Sequence, residues 1–320
     1  MHDSPLEILP TVRALSESGE PRAALELLRT IDLASIESPP EIVAIGHGYM
    51  DLEQFSEALD VFDRAVAQMP GTAAAHSARG QALLAMGRYE DAEAAFARSI
   101  ALAPTASRWV MRGDVQVALG RDASAEESFR EALRIDSDDD EALYNVALLV
   151  RERDPLQALA LLQRACRIDP LSAEAHRELG FSLLQQGDVE SAEHELRTAI
   201  KLSPSDPWAF VYMSELEAKT GRNTDARASL EHAHAVSPLW PVPMYLLGLH
   251  EERHGSAAGA LTFFKGSHDL DGLDVNAAFH LARFLAIAGR VAEAIKVLRP
   301  VSKIKGAERA RALLDRLVEG

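Results

Sequence analysis

His250, Glu251 and His254 stand in the order H-E-x-x-H, the pattern in which two histidines one helical turn apart hold zinc while the glutamate activates water. Such a site needs a third ligand. The extended form of the motif requires glycine and histidine where this chain has Ala257 and Ala260. A zinc hydrolase therefore stays an alternative without its third ligand, and the segment reads more simply as half a helix carrying a surface histidine pair. The acidic run Asp136-Ser137-Asp138-Asp139-Asp140-Glu141 lacks the glycine and distal glutamate of a calcium loop. Placed before a helix, its carboxylates suit the positive end of the dipole. Gly46-His47-Gly48 lacks the third glycine and preceding strand of a dinucleotide fingerprint. His232 and His234, two apart on a helix, do not face one way. Neither a G-x-x-x-x-G-K-[ST] loop nor a G-x-S-x-G elbow occurs. No catalytic residue, metal ligand or cofactor is expected.

The elements that position these residues are repeated. Nine alanines recur at steps of 33 or 34 residues: Ala24, Ala58, Ala92, Ala125, Ala158, Ala192, Ala226, Ala260 and Ala294. Twelve residues before each, or eleven at Ala147, is a small column: Val12, Gly46, Gly80, Gly113, Ala147, Gly180, Ser214, Gly248 and Ala282. Four residues after each alanine is a large apolar one: Leu28, Phe62, Phe96, Phe129, Leu162, Leu196, Leu230, Phe264 and Leu298. Three further on is a mostly small column: Ile31, Ala65, Ser99, Ala132, Ala165, Ala199, Ala233, Ser267 and Val301. Glycine lies between the helices in seven units, at Gly19, Gly87, Gly120, Gly187, Gly221, Gly255 and Gly289, and proline closes five, at Pro70, Pro104, Pro170, Pro204 and Pro238.

Each column has a physical reason. Small residues let two helix backbones approach, and the large residue fills the space beside them. Glycine supplies the left-handed residue that ends a helix, and proline cannot continue one. At these offsets the pattern resembles the tetratricopeptide repeat family, whose unit is a helix–turn–helix of 34 residues. The resemblance implies an all-α right-handed superhelix, an α-solenoid of antiparallel helix pairs. The units are placed at 5–38, 39–72, 73–105, 106–139, 140–172, 173–206, 207–240, 241–274 and 275–308, with a capping helix at 309–318. All of them form a single solenoid over 1–320.

Composition agrees with helices, because aromatics are only 6% and the apolar fraction rests on alanine and leucine. Lys and Arg number 33 against 49 Asp and Glu, a net charge of −16. That excess disfavours nucleic acid and anionic membrane surfaces and favours a basic or neutral protein or peptide partner. No apolar run is long enough to span a bilayer. The start, Met1-His2-Asp3-Ser4-Pro5-Leu6-Glu7, lacks the basic-then-apolar order of a secretory signal, and Cys166 is the single cysteine. A cytoplasmic protein is expected, its oligomeric state left open.

Binding residues are expected on a second stripe of each first helix, lying six, three and two residues before the small column and one, four and five after it. In proteins similar to this repeat family that stripe lines a concave groove which holds extended peptides or partner segments. Its N-terminal part is mixed: Arg13, His47, Ser77, Gln81, Leu84, Asp114 and Val117. From the fifth unit it turns aromatic and charged: Tyr144, Asn145, Arg151, Arg177, Glu178, Phe181, Trp208, Tyr212, Glu215, Tyr245, Phe279, His280 and Arg283. Aromatics and arginine dominate binding energetics at interfaces. Family members that grip heat-shock chaperone tails use lysines, an arginine and asparagines here. This stripe has Asn145 without a matching lysine cluster. The expected function is a non-catalytic scaffold or adaptor. The alternative is a substrate-recruiting or ligand-sensing subunit of an enzyme on another chain. The turn Ser237-Pro238-Leu239-Trp240-Pro241-Val242-Pro243 carries three prolines, enough to tilt the last units or mark a hinge.

Overall fold

The computed structural model describes residues 5–33, 36 and 38–319. Among them are nineteen α-helices and no strand. The chain divides into two compact units, Met1–Asp169 and Pro170–Gly320. The first contains α1 (Pro5–Glu17), α2 (Pro21–Arg29), α3 (Pro39–Asp51), α4 (Phe55–Gln68), α5 (Ala73–Ala85), α6 (Tyr89–Leu102), α7 (Ala106–Ala118), α8 (Asp122–Ile135), α9 (Asp140–Val150) and α10 (Pro155–Ile168). The second contains α11 (Ala173–Gln186), α12 (Val189–Leu202), α13 (Pro207–Lys219), α14 (Asn223–Val236), α15 (Pro241–His254), α16 (Ala257–Leu270), α17 (Val275–Ile287), α18 (Val291–Val301) and α19 (Glu308–Glu319). Within each unit an odd-numbered helix packs on the even-numbered helix that follows it. In the second unit α19 packs on both α17 and α18.

The boundaries follow from local chemistry. Proline opens α2, α3, α10, α13 and α15 in the first turn, where its missing N–H is not needed. Two of the three prolines around Trp240 are placed by this rule: Pro241 and Pro243 belong to the first turn of α15, while Pro238 lies in the turn before it. Side chains cap other starts. Asp139 accepts from the Ala142 N–H at 2.9 Å and Asp154 from that of Gln157 at 2.9 Å. The acidic run before α9 is thus engaged locally, with Asp138 also paired to Arg164 at 2.5 Å. Between α3 and α4, where the repeat lacks glycine, Glu53 takes the left-handed conformation instead, at φ 57°. Gly255 departs from the other turn glycines. Its φ is −119°, and the carboxylate of Glu251, which accepts from the Ser256 N–H at 3.0 Å, occupies the space a side chain would need.

The packing columns form the core. All nine alanines of the repeated column are at most 1% exposed, and Phe62, Phe96, Phe129 and Phe264 are fully buried. Each of these phenylalanines sits on a glycine of the preceding helix. A Cβ added to Gly46, Gly80, Gly113 or Gly248 would approach the ring of Phe62, Phe96, Phe129 or Phe264 to between 2.2 and 2.9 Å. Larger residues at the small position, namely Val12, Ala147, Ser214 and Ala282, occur in repeats where the large position is leucine. Two serines in the third column tie helix to helix. Ser99 Oγ donates to the Ala73 carbonyl at 2.6 Å and Ser267 Oγ to the Pro241 carbonyl at 3.1 Å. Cys166 is buried. Among the described residues no helix is long and apolar enough to cross a membrane.

Candidate functional site

In the second unit the first helices of the repeats, α11, α13, α15 and α17, carry most of the aromatic stripe. Packing of α11 on α13 brings Phe181 and Tyr212 into a stack, centroids 4.4 Å apart and planes 21° apart. Trp208, one turn earlier on α13, lies 5.7 Å from Tyr212, and Trp240 at the cap of α15 lies 4.6 Å from Trp208. Four rings thus run in sequence from α11 across α13 to the start of α15. Phe181, Tyr212 and Trp240 are half-buried, and Trp208, between Tyr212 and Trp240, is 42% exposed, so the series is anchored at both ends and exposed at Trp208. A second cluster joins α15, α16 and α17. Tyr245 lies 5.9 Å from Phe264 and 5.8 Å from His280, and Phe279 lies 5.4 Å from His280. Burial holds the Tyr245 phenol above its usual range and, with Arg283 beside it, holds the His280 imidazole below its own.

The charged members of the stripe are engaged within the fold. Arg177, with its side chain only 13% exposed, donates to Asp206 at 2.6 Å and to Glu178 at 3.2 Å. Asp206 also accepts from the Trp208 N–H at 2.9 Å. Arg177 therefore fixes the start of α13 and with it the helix that presents Trp208 and Tyr212. Glu215 pairs with Lys219 at 2.9 Å and accepts from Gln185 Nε2 at 3.1 Å. Arg283 pairs with Glu252, and its Nε is buried without a hydrogen-bond partner.

In the first unit, Tyr144 and Asn145 are half-buried on α9, while Arg151 follows its end and lies 3.8 Å from Glu152. On α5 and α7 the stripe is mixed, with Ser77 Oγ and Gln81 Nε2 3.7 and 3.6 Å from Met111 Sδ. Asp114 has no ion pair among the described residues. Burial, with Glu141 nearby, pushes its carboxyl up to about 7. A cavity of about 560 Å³ opens between α1 and α3, lined in part by Arg13, His47 and Asp51.

The H-E-x-x-H residues are committed elsewhere. His250 Nε2 bonds the Asn223 carbonyl at 2.9 Å, and Glu251 is buried in a pair with Arg227. Among the described residues no group of three histidine, cysteine or carboxylate side chains could hold a metal ion. The stripe rule did not reach Trp240 because that residue lies eight before its small-column position and enters the ring series from a turn. Nor did it reach Arg309, which lies on α19 and sits 4.6 Å from the Phe279 ring centroid. The only signal for Arg309 was its place among the apolar positions of a helix that packs on α17.

The profile of the Tetratricopeptide repeat family matches residues 43–107, 78–140 and 146–207, together half of the chain. Curated relatives include the anaphase-promoting complex subunit 3 of Schizosaccharomyces pombe, 26% identical over 42% of this chain and 20% of that protein. Another is the cell division cycle protein 27 homolog of Caenorhabditis elegans, 29% identical over 27% of this chain and 11% of that one. The matched region is thus a small part of each relative. Among solved structures, the APC/C hetero-tetramer Cut9–Hcn1 is similar with a TM-score of 0.63 and 17% identity, over 95% of this chain and 60% of that one. The human IFIT1 dimer with PPP-AAAA is similar with a TM-score of 0.63 and 15% identity, over 96% and 81%. At these identities the structural likenesses speak for the fold.

Proposed function

The chain belongs to the tetratricopeptide repeat family, and on that premise we propose that it is a non-catalytic scaffold holding a segment of a protein partner against the first-helix face of its second unit. The observation that carries this reading is the ring series Phe181–Tyr212–Trp208–Trp240. Partly exposed aromatics packed on one another lose little side-chain entropy on binding and offer large contact areas, which makes them anchors. Tyr245, Phe279 and Arg283 extend the face towards the last repeat. Tyr144, Asn145 and Arg151 are proposed as contacts of the first unit, and Arg177 and Glu215 as residues that position the ring-bearing helices. The net charge of −16 supports a partner that is basic or neutral as a whole, and it speaks against nucleic acid and membrane surfaces. A cytoplasmic setting suits a chain whose single cysteine forms no internal disulfide.

A second reading is favoured by the name of one relative, a subunit of a complex. On that reading the scaffold recruits a partner to an enzyme carried on another chain. Affinity capture from a lysate, with Tyr212→Ala and Tyr245→Ala beside Gln81→Ala, tests the common part of both. The tyrosine variants are expected to lose the partner and the glutamine variant to keep it. The converse pattern moves the function to the first unit.

A further inference from the structure

Where α17 packs against α19 in the second unit, a cavity of about 350 Å³ is lined by Phe279, Arg283, Arg309, Ala312, Leu313 and Arg316. Three guanidinium groups therefore converge on one small space, in a chain whose acidic side chains outnumber its basic ones, 49 to 33. One carboxylate, Glu252, answers Arg283. Arg309 and Arg316 have no carboxylate partner among the described residues. Arg309 is nevertheless held in place, its guanidinium 4.6 Å from the Phe279 ring centroid. Arg309, Leu313 and Arg316 follow at helical spacing on α19, so the cap turns two arginines and a leucine toward the same side. The lining thus combines three apolar residues, Phe279, Ala312 and Leu313, with three arginines, a local exception to the field of the whole chain.

We propose that this pocket binds an acidic side chain of the partner, presented beside an apolar residue, with the arginines clamping its carboxylate. The proposal rests on the reading that this face of the second unit binds a protein segment. Guanidinium groups match a carboxylate with two parallel hydrogen bonds, and a charge with no internal partner gains most from an external one. The apolar part of the lining adds a requirement that a free ion does not meet, and this favours a peptide over a simple anion.

The test is fluorescence anisotropy at low salt with a short peptide of Gly-Glu-Leu repeats, capped at both ends, against a matched peptide of Gly-Lys-Leu repeats. The acidic peptide is expected to bind and the basic one not to. Arg309→Glu with Arg316→Glu should weaken binding by at least about tenfold with helicity unchanged. Arg309→Lys with Arg316→Lys, which keeps charge but not the fork, should fall between. Equal binding by the charge-reversed and native proteins, or preference for the basic peptide, overturns the proposal. So does displacement of the acidic peptide by oligoadenylate at lower concentration than by its unlabelled self, which would assign the pocket to nucleic acid. Should Tyr212→Ala lose the captured partner while the charge-reversed protein keeps it, the pocket alone fails and the scaffold reading stands.

Discussion

A methyl group added at Gly113 on α7 would lie 2.5 Å from Cε1 of Phe129 on α8, closer than any packed core tolerates. The ring of Phe129 is fully buried and occupies the space that the glycine leaves open. Gly113→Ala should therefore force the ring or the helix to move and destabilise the first unit by about 1–3 kcal/mol. Because neighbouring helix pairs carry the contacts, loss of hydrogen-exchange protection should centre on α7 and α8. Phe129→Leu in the same chain should recover much of the loss, since leucine accompanies alanine at the same two positions in the pairs Ala147 and Leu162, and Ala282 and Leu298. Full additivity of the two substitutions in urea unfolding would show that the pair does not act as a unit.

Asp114, one residue further along α7, gives a pH signature. Its carboxyl titrates near 3.8 in the unfolded chain and is pushed up to about 7 in the fold, chiefly by burial. Between those values the folded protein keeps a proton that the unfolded chain releases. Its contribution to stability therefore falls as pH rises through that window. Asp114→Asn removes the charge and keeps the shape. Relative to the native protein it should gain about 1 kcal/mol at pH near 8, after allowance for partial exposure, and almost nothing near pH 4. Equal effects at both pH values, measured by urea unfolding, would mean that a cation already compensates Asp114.

These two neighbours show what was legible in the residues. The all-α helix-pair fold was, because glycine and phenylalanine, or alanine and leucine, must recur at fixed offsets if helices are to pack closely. Ring series and ion pairs were less so. Periodicity puts Phe181 and Tyr212 on one face, but the 4.4 Å stack depends on how α11 meets α13, which no spacing within a helix fixes. Trp240 joins from a turn, and Arg309 reaches Phe279 from a helix outside the repeat register. Glu251 was harder still. The motif suggests a base for water, whereas the fold uses it as a buried partner of Arg227 and as a cap for the backbone beside Gly255.

Removal of metal should change nothing. His250 is engaged with the Asn223 carbonyl and Glu251 with Arg227, so a zinc ion would have to break both to form a hydrolytic site. Protein purified without a histidine tag and dialysed against a chelator should keep its helicity and its captured partner. Added zinc should leave its thermal midpoint unchanged, in the native chain and in the His250→Ala, His254→Ala double variant alike. A stoichiometric zinc, lost in the double variant, would restore the hydrolase reading.

The decisive binding measurement concerns Tyr212. Its ring is stacked on Phe181 and lies 5.7 Å from Trp208, at the centre of the series rather than at either end. A ligand laid across the exposed ring of Trp208 would therefore be supported through Tyr212, and truncation would remove both the contact surface and the support. Tyr212→Ala should weaken binding of the captured partner by roughly 2 kcal/mol or more. Tyr212→Phe, which keeps the ring, should cost well under half of that. Gln81→Ala, in the polar stretch of the first unit beside Met111, should cost little. Calorimetric titration of the three variants, each matched to the native protein in helicity and thermal midpoint, separates a lost anchor from a loosened fold. Weak binding by Gln81→Ala together with native affinity in both tyrosine variants would move the partner to the first unit, where the cavity between α1 and α3 is the next surface to probe.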